Sequence, residues 1–177
     1  MLSKTLRFTV IFVVVMFTAL SAGLSFAYLK RGDGMLHVET STMIQAPRTR
    51  VVEIYQDYRN WPNLFPTIKG VRLVREEPGR KVLEIDHREG RVINILTLVS
   101  QEEVELEEFK KKYDGKFVNR FEAVSGGTRF TVAADISLKG DYKLLAPFLG
   151  SYIRKQITAF VLDPVKKSAE AHQGAII

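Results

Sequence analysis

The chain has 177 residues, with 26 Lys or Arg against 20 Asp or Glu and a formal charge of +6. Lys4, Arg7, Lys30 and Arg31 precede Met35 together with Asp33, so the remainder carries only +3, with acidic and basic side chains interleaved. No basic stripe with exposed aromatics stands out, which argues against nucleic acid as a partner, and the lack of cysteine excludes a disulfide framework, a thiolate metal site and a cysteine nucleophile.

From Phe8 to Leu29 no residue is charged. A stretch of this length suffices to cross a hydrocarbon core of about 30 Å. It reads as an N-terminal apolar helix that anchors the chain in a membrane. A cleaved signal peptide is the rival reading, with Ser25, Phe26 and Ala27 as a small-x-small site. A third reading starts the protein at Met35 and leaves a soluble domain. Lys4, Arg7 and the amino terminus slightly outweigh Lys30 and Arg31, which places the domain on the extracytoplasmic side in the first reading. Residues 1–34 are thus an anchor or signal peptide with a short Gly32–Asp33–Gly34 joint, and residues 35–177 form one domain.

Leu36 to Ile44 alternates as a first strand, which Ala46 and Pro47 break. Thr49 is placed to cap a short helix through Tyr58, with Val51, Val52, Ile54 and Tyr55 inward. Asp57 to Pro66 packs two prolines and three aromatics into a broken helix or tight apolar loop. Strands follow at Val71–Arg75 and Lys81–Arg88 across the Pro78–Gly79 turn, and at Arg91–Ser100 across Glu89–Gly90. A two-residue loop at Glu89–Gly90 faces His87 with Val92, Ile85 with Asn94 and Leu83 with Leu96. A second such loop at Gly126–Gly127 pairs Ala123 with Phe130, Phe121 with Val132, Asn119 with Ala134 and Phe117 with Ile136. Both strands then present their apolar sets to one face. Between them Val104–Tyr113 is so charged that it reads as a weak, solvated outer strand, with its turn at Asp114–Gly115.

The last long helix starts at about Ala146, with Pro147 in its first turn, and reaches about Ala171. Phe148, Leu149, Tyr152, Ile153, Ile157, Phe160, Val161 and Val165 recur at spacings of three and four, an inward stripe. Pro164 predicts a kink near Phe160 or an early end. Taken together the elements make an α+β fold: a seven-stranded curved antiparallel sheet wrapped around a long C-terminal helix, with two short helices after the first strand. A bent sheet gripping one helix leaves room for a concave, mostly apolar pocket.

Ile44, Ala46, Pro47, Val51, Val52, Asp57, Trp61, Pro62, Pro66, Ile68, Gly70 and Val71, followed by Gly127, Thr128, Arg129 and the long helix, resemble the SRPBCC superfamily. This is the START and Bet v 1-like helix-grip group, and the resemblance is particularly to its polyketide cyclase/dehydrase-like and coenzyme Q-binding branches. The resemblance spans about Met35 to Ala171. It implies a deep cavity between sheet and helix for lipids, sterols, quinones or polyketides. Phe121 stands where many relatives carry tryptophan, and no catalytic set carries over.

On the inward face the polar candidates are His87, Asn94 and Asn119, set among Ile85, Phe117 and Phe121, with Trp61 and Phe65 from the apolar loop and Phe148, Tyr152 and Phe160 from the helix. A buried amide without a partner costs about 1–3 kcal/mol, so each asparagine meets protein, water or ligand. Glu84, Asp86 and Asp135 alternate away from this face, which argues against a catalytic carboxylate pair. His37, His87 and His172 lack metal-ligand spacing and no phosphate loop is present, so no cofactor is expected. Three functions remain: a non-enzymatic carrier or sensor of a hydrophobic small molecule or lipid at the membrane, a cyclase- or dehydratase-like enzyme with His87 and Tyr152 as its acid/base groups, and an interaction module with a closed core and no cavity.

Overall fold

The structure, a computed structural model, describes residues 34–171 apart from Glu89. The Phe8–Leu29 stretch, with its reading as anchor or signal, lies outside the described residues. Among the described residues no helix is long and apolar enough to cross a membrane.

Strand β1 (Met35–Ile44) leads through Ala46 and Pro47 into α1 (Arg48–Gln56), a 3-10 turn (Tyr58–Asn60) and the short α2 (Trp61–Leu64). Six strands follow: β2 (Ile68–Glu77), β3 (Arg80–His87), β4 (Gly90–Leu98), β5 (Glu103–Phe109), β6 (Tyr113–Val124) and β7 (Gly127–Leu138). They form one antiparallel sheet in the order β1-β7-β6-β5-β4-β3-β2. A second 3-10 turn (Gly140–Leu145) then passes into α3 (Ala146–Ile157), a π-helical turn (Thr158–Leu162) and α4 (Asp163–Glu170). This is the helix-grip arrangement that the element order predicts, with the helices gathered over one face of the sheet.

Local chemistry accounts for most boundaries. Pro47 stands at the head of α1 with extended backbone and no side-chain cap bond, so Thr49 is not the cap; it lies inside the helix, which begins one residue earlier. A proline there needs no amide hydrogen bond, so it does the work of a start signal without a hydroxyl. The same logic puts Pro62, Pro147 and Pro164 in the first turns of α2, α3 and α4.

Both hairpin registers differ from expectation by two residues. His87 pairs with Gly90, Ile85 with Val92 and Leu83 with Asn94; Val124 pairs with Gly127, Phe121 with Phe130, Asn119 with Val132 and Phe117 with Ala134. Each loop begins one residue earlier than the glycine pattern suggests. At Ser125–Gly126 the cause is backbone: Gly126 occupies the second loop position with φ 84°, a conformation in which glycine is favoured. A shift of two preserves the faces, so the inward set survives the correction.

The charged β5 is not an outer strand. It lies in the interior of the sheet between β4 and β6, with Val104 and Glu108 buried and Leu106 half-buried, while Glu103, Glu105 and Glu107 occupy its other face. Its turn runs through Lys111 and Lys112, closed by Lys110 N–H to the Tyr113 carbonyl at 2.9 Å, and Phe109 pairs with Asp114. The outward glutamates are neutralised from the next strand by Lys116 to Glu105 at 2.8 Å and Arg120 to Glu103 at 2.9 Å. Cross-strand ion pairs of this kind let a strand with four charged residues in seven sit in mid-sheet.

The core is an aromatic cluster beneath α1 and α2. Phe121 and Phe130 stack across β6 and β7 at 4.6 Å between centroids, Tyr55 lies against both at 5.5 and 5.6 Å, and Trp61 approaches Tyr55 at 6.0 Å. The Trp61 indole N–H donates to the Tyr55 carbonyl at 2.8 Å, which satisfies its one polar atom inside the core. Where β1 ends, Thr128 Oγ1 donates to the Ala46 carbonyl at 2.8 Å. Beside it Gly127, with φ 150°, lies so close to β1 that an added Cβ would stand 2.1 Å from the Ile44 carbonyl oxygen.

The long helix departs from the expected stripe. α3 lies along β1 and packs Leu149, Ile153 and Ile157 on the core, whereas Phe148 is 71% and Tyr152 59% exposed. Both therefore point outward, not into the sheet. An edge strand covers only a narrow face of a helix, and these two positions lie about 100° away from that face.

Candidate ligand-binding cavity

Between the inner face of the sheet, α1–α2 and the π-helical turn lies a cavity of about 180 Å³. Trp61 and Phe65 close it from the helical side, Phe160 and Val161 from the π turn, and Ile85, Leu106, Phe117 and Val132 from the sheet. Its size decides between ligands. An engineered apolar cavity of about 150 Å³ takes a single benzene ring, and drug-sized ligands occupy about 300–1,000 Å³. The space fits one ring with a short substituent, or one segment of a longer chain.

Of the residues expected at a ligand, Trp61, Phe65, Ile85, His87, Asn94, Phe117, Asn119 and Phe160 border this cavity. Phe121, 1% exposed, is committed to Phe130 and Tyr55 and does not. Phe148 and Tyr152 lie on the outer surface, which removes Tyr152 as an acid/base group. Asn119 is spoken for: its Nδ2 donates to the Val104 carbonyl at 3.1 Å and the Phe117 carbonyl at 3.3 Å, tying β6 to β5.

The remaining polar groups gather around Glu108, which sequence reasoning missed. Glu108 pairs with Asn94 across β4 and β5 and is only 6% exposed. Tyr113 donates to its Oε2 at 2.7 Å, Lys110 Nζ lies 3.1 Å from its Oε1, and His87 Nε2 lies 3.5 Å from the same oxygen. At 3.5 Å the imidazole contact is longer than a well-formed hydrogen bond. Burial pushes the Glu108 carboxyl up, but His87, Lys110 and Tyr113 together outweigh it and hold it below the usual carboxylate range. By contrast burial alone pushes the Tyr55 phenol up, so it stays protonated at neutral pH. A visible signal did exist: Val104, Leu106 and Glu108 share a face at period two, and a glutamate completing an apolar row is one that needs partners.

Two atoms stand out. Asn94 Oδ1 and His87 Nε2 are enclosed by protein and, among the described residues, have no hydrogen-bond partner.

The Glu108 cluster implies a pH effect. A carboxyl whose folded value lies below its unfolded one contributes stability above the ordinary carboxylate range and loses it as pH falls through that range toward the lower folded value. Urea midpoints measured from pH 7 to pH 3 are expected to fall more steeply for the wild-type chain than for Glu108→Gln. Parallel curves would show that the cluster contributes nothing.

The fold matches solved structures at low identity. The di-domain aromatase/cyclase StfQ from the steffimycin biosynthetic pathway aligns with a TM-score of 0.68 and 11% identity over 84% of this chain and 55% of that one. The Zhui aromatase/cyclase from Streptomcyes sp. R1128 gives 0.61 and 20% over 78% and 96%, and a START superfamily protein from Mycobacterium smegmatis gives 0.55 and 14% over 80% and 99%. The chain spans about half the length of the di-domain aromatase/cyclases it matches. No curated protein matches. The family model described as "Polyketide cyclase / dehydrase and lipid transport" matches residues 35–170, the same span that folds into the sheet and its gripped helix. With that match and this architecture, the chain belongs to the polyketide cyclase / dehydrase and lipid transport family.

Proposed function

We propose that the protein binds a hydrophobic small molecule in the cavity beneath the π-helical turn and carries or senses it at a membrane. The observation that carries this reading is the partly open apolar space itself, bordered by Trp61, Phe65, Ile85, Leu106, Phe117 and Phe160. Burial of apolar ligand surface there yields roughly 25 cal/mol per Å². Family membership supports it at the level of chemistry, since members bind hydrophobic molecules in this position or act on them.

The membrane part of the proposal rests on sequence and on the surface. Phe8–Leu29 acts as the anchor, with the domain on the extracytoplasmic side. The chain joins β1 at Gly34, whose carbonyl accepts from Leu138 N–H at 3.0 Å and which lies against the Lys143 side chain. At this corner Tyr142, Leu144, Leu145 and Phe148 are exposed, and exposed apolar side chains in a group suit a lipid surface. A domain tethered there meets lipid at high effective concentration, so modest affinity suffices.

Mass spectrometry of the small molecules extracted from the purified full-length chain tests the carrier. An apolar compound at near-stoichiometric amount is the expected result, and recovery of none, with no binding of lipid probes, would sink the proposal.

One observation favours a second reading, an enzyme of the cyclase or dehydratase type. His87 borders the cavity beside a buried carboxylate, the setting in which an imidazole acts as a general base. For an enzyme, His87→Ala abolishes turnover and leaves ligand uptake intact. For a carrier, the substitution changes uptake less than about twofold.

A further inference from the structure

The end of the sheet at which β1 begins is built from two turns that hold each other. The 110–112 turn between β5 and β6 meets the 139–145 segment after β7, where Lys139 N–H donates to the Lys112 carbonyl at 2.9 Å and Lys139 Nζ to the Lys110 carbonyl at 3.1 Å. Lys112 Nζ lies 5.5 Å from the centre of the Tyr142 ring. From this joined rim project Leu144 and Leu145, each nearly half exposed, and Phe148, with Tyr152 one turn further along α3.

Charge and chain length identify the occupant of this face. Lys110 and Lys139 are balanced by Glu108 at 3.1 Å and Asp114 at 2.6 Å. That leaves Lys111, Lys112 and Lys143 against Asp141, so the rim is cationic around its apolar side chains. Apolar side chains among lysines match the boundary between acyl chains and anionic headgroups, where each lysine strengthens binding about fivefold. Only Lys30–Asp33 stand between Leu29, where the uncharged stretch ends, and Gly34, which lies against the Lys143 side chain. Fully extended, that joint reaches about 17 Å. A stretch seated in a bilayer therefore holds this end of the sheet, and not the other, at the headgroups.

We infer that this rim docks on a leaflet containing anionic lipid, with Leu144, Leu145 and Phe148 at the boundary between headgroups and acyl chains. The inference rests on the membrane part of the proposed function and adds to it an orientation and a lipid preference. Lys110 belongs both to the rim and to the cavity wall, so docking brings the polar side of the cavity next to the leaflet and shortens the path of an apolar ligand from bilayer to chamber.

The chain has no cysteine, so Leu144→Cys, Phe148→Cys and Val99→Cys each take a single environment-sensitive nitrobenzoxadiazole label. Val99 is 52% exposed at the opposite end of the sheet, just past β4. The labelled full-length chains are compared in nanodiscs of phosphatidylcholine alone and of phosphatidylcholine with phosphatidylglycerol. In the anionic discs the labels at Leu144 and Phe148 are expected to shift to the blue and gain about twofold or more in emission, with smaller gains in the zwitterionic discs. The label at Val99 changes in neither. Lys111→Glu combined with Lys112→Glu, both exposed, removes the gain at Phe148, whereas Arg80→Glu at the far end of the sheet keeps it. Labels at Leu144 and Phe148 that behave like the one at Val99, in discs that hold the chain, overturn the docking and leave the anchor standing. Equal gains in the two lipids also overturn it. A gain that appears only when two chains share a disc overturns it and identifies a second copy as the occupant. A chain that does not enter the discs removes the membrane reading and this inference together.

Discussion

Gly127→Ala is expected to lower stability by about 3 kcal/mol or more and the melting temperature by about 10 °C. Two costs combine. An alanine at φ 150° takes up a backbone conformation that side chains of L-residues avoid, and its Cβ would stand 2.1 Å from the Ile44 carbonyl oxygen. Relief requires the end of β1 to move off β7, which breaks the Thr128 to Ala46 hydrogen bond and opens the sheet next to α1. Gly126→Ala is the internal control. It shares a positive φ, 84°, but an added Cβ has open space around it, so its cost stays near 1 kcal/mol. Thermal unfolding followed by far-ultraviolet circular dichroism separates the two. Equal losses would mean that β1 does not approach β7 as closely as the structure places it.

Leu106→Trp is expected to abolish uptake of apolar ligands, reducing affinity at least tenfold, while stability changes by less than about 1.5 kcal/mol. Leu106 is half-buried on the inner face of β5 and borders the cavity. An indole in its place projects into free volume instead of into packed atoms, so the usual overpacking penalty of about 1–3 kcal/mol is largely avoided. Phe121→Trp is the contrast. The Phe121 ring is stacked at 4.6 Å on Phe130 and lies away from the cavity. Its substitution therefore disturbs the core, with little effect on ligand beyond what is lost through stability. Binding of 4-propylphenol to both variants, beside their melting temperatures, distinguishes filling from destabilisation. Undiminished binding by Leu106→Trp would place the ligand elsewhere.

The inward face was legible from alternation because a two-residue error in hairpin register leaves every side chain on its own side. That is why His87, Asn94, Phe117 and Asn119 were found although both loops were misplaced. β5 was not legible, since Glu105 and Glu103 are neutralised by Lys116 and Arg120 only once β6 pairs beside β5, and local composition records only their charge. Glu108 went unseen for the same reason: its value as a buried carboxylate depends on His87, Lys110 and Tyr113 converging on it. Phe148 and Tyr152 were misread because a hydrophobic stripe says that a face is apolar and not how wide its neighbour is. Only Leu149, Ile153 and Ile157 of that stripe in α3 pack on the core, and Phe148 and Tyr152 stay exposed.

The π-helical turn at Thr158–Leu162 also does geometric work on the two halves of the helix. A five-residue turn of this kind amounts to one residue more than α-helical winding would use. An uninterrupted α-helix through the same residues would rotate α3 by about 100° relative to α4. Leu149 and Ile153 would then swing off the core whenever Val165 and Ala169 held their buried places. The extra residue is thus what allows one rod to keep two differently aimed apolar faces seated at once, and it places Phe160 and Val161 over the chamber at the point where the winding changes.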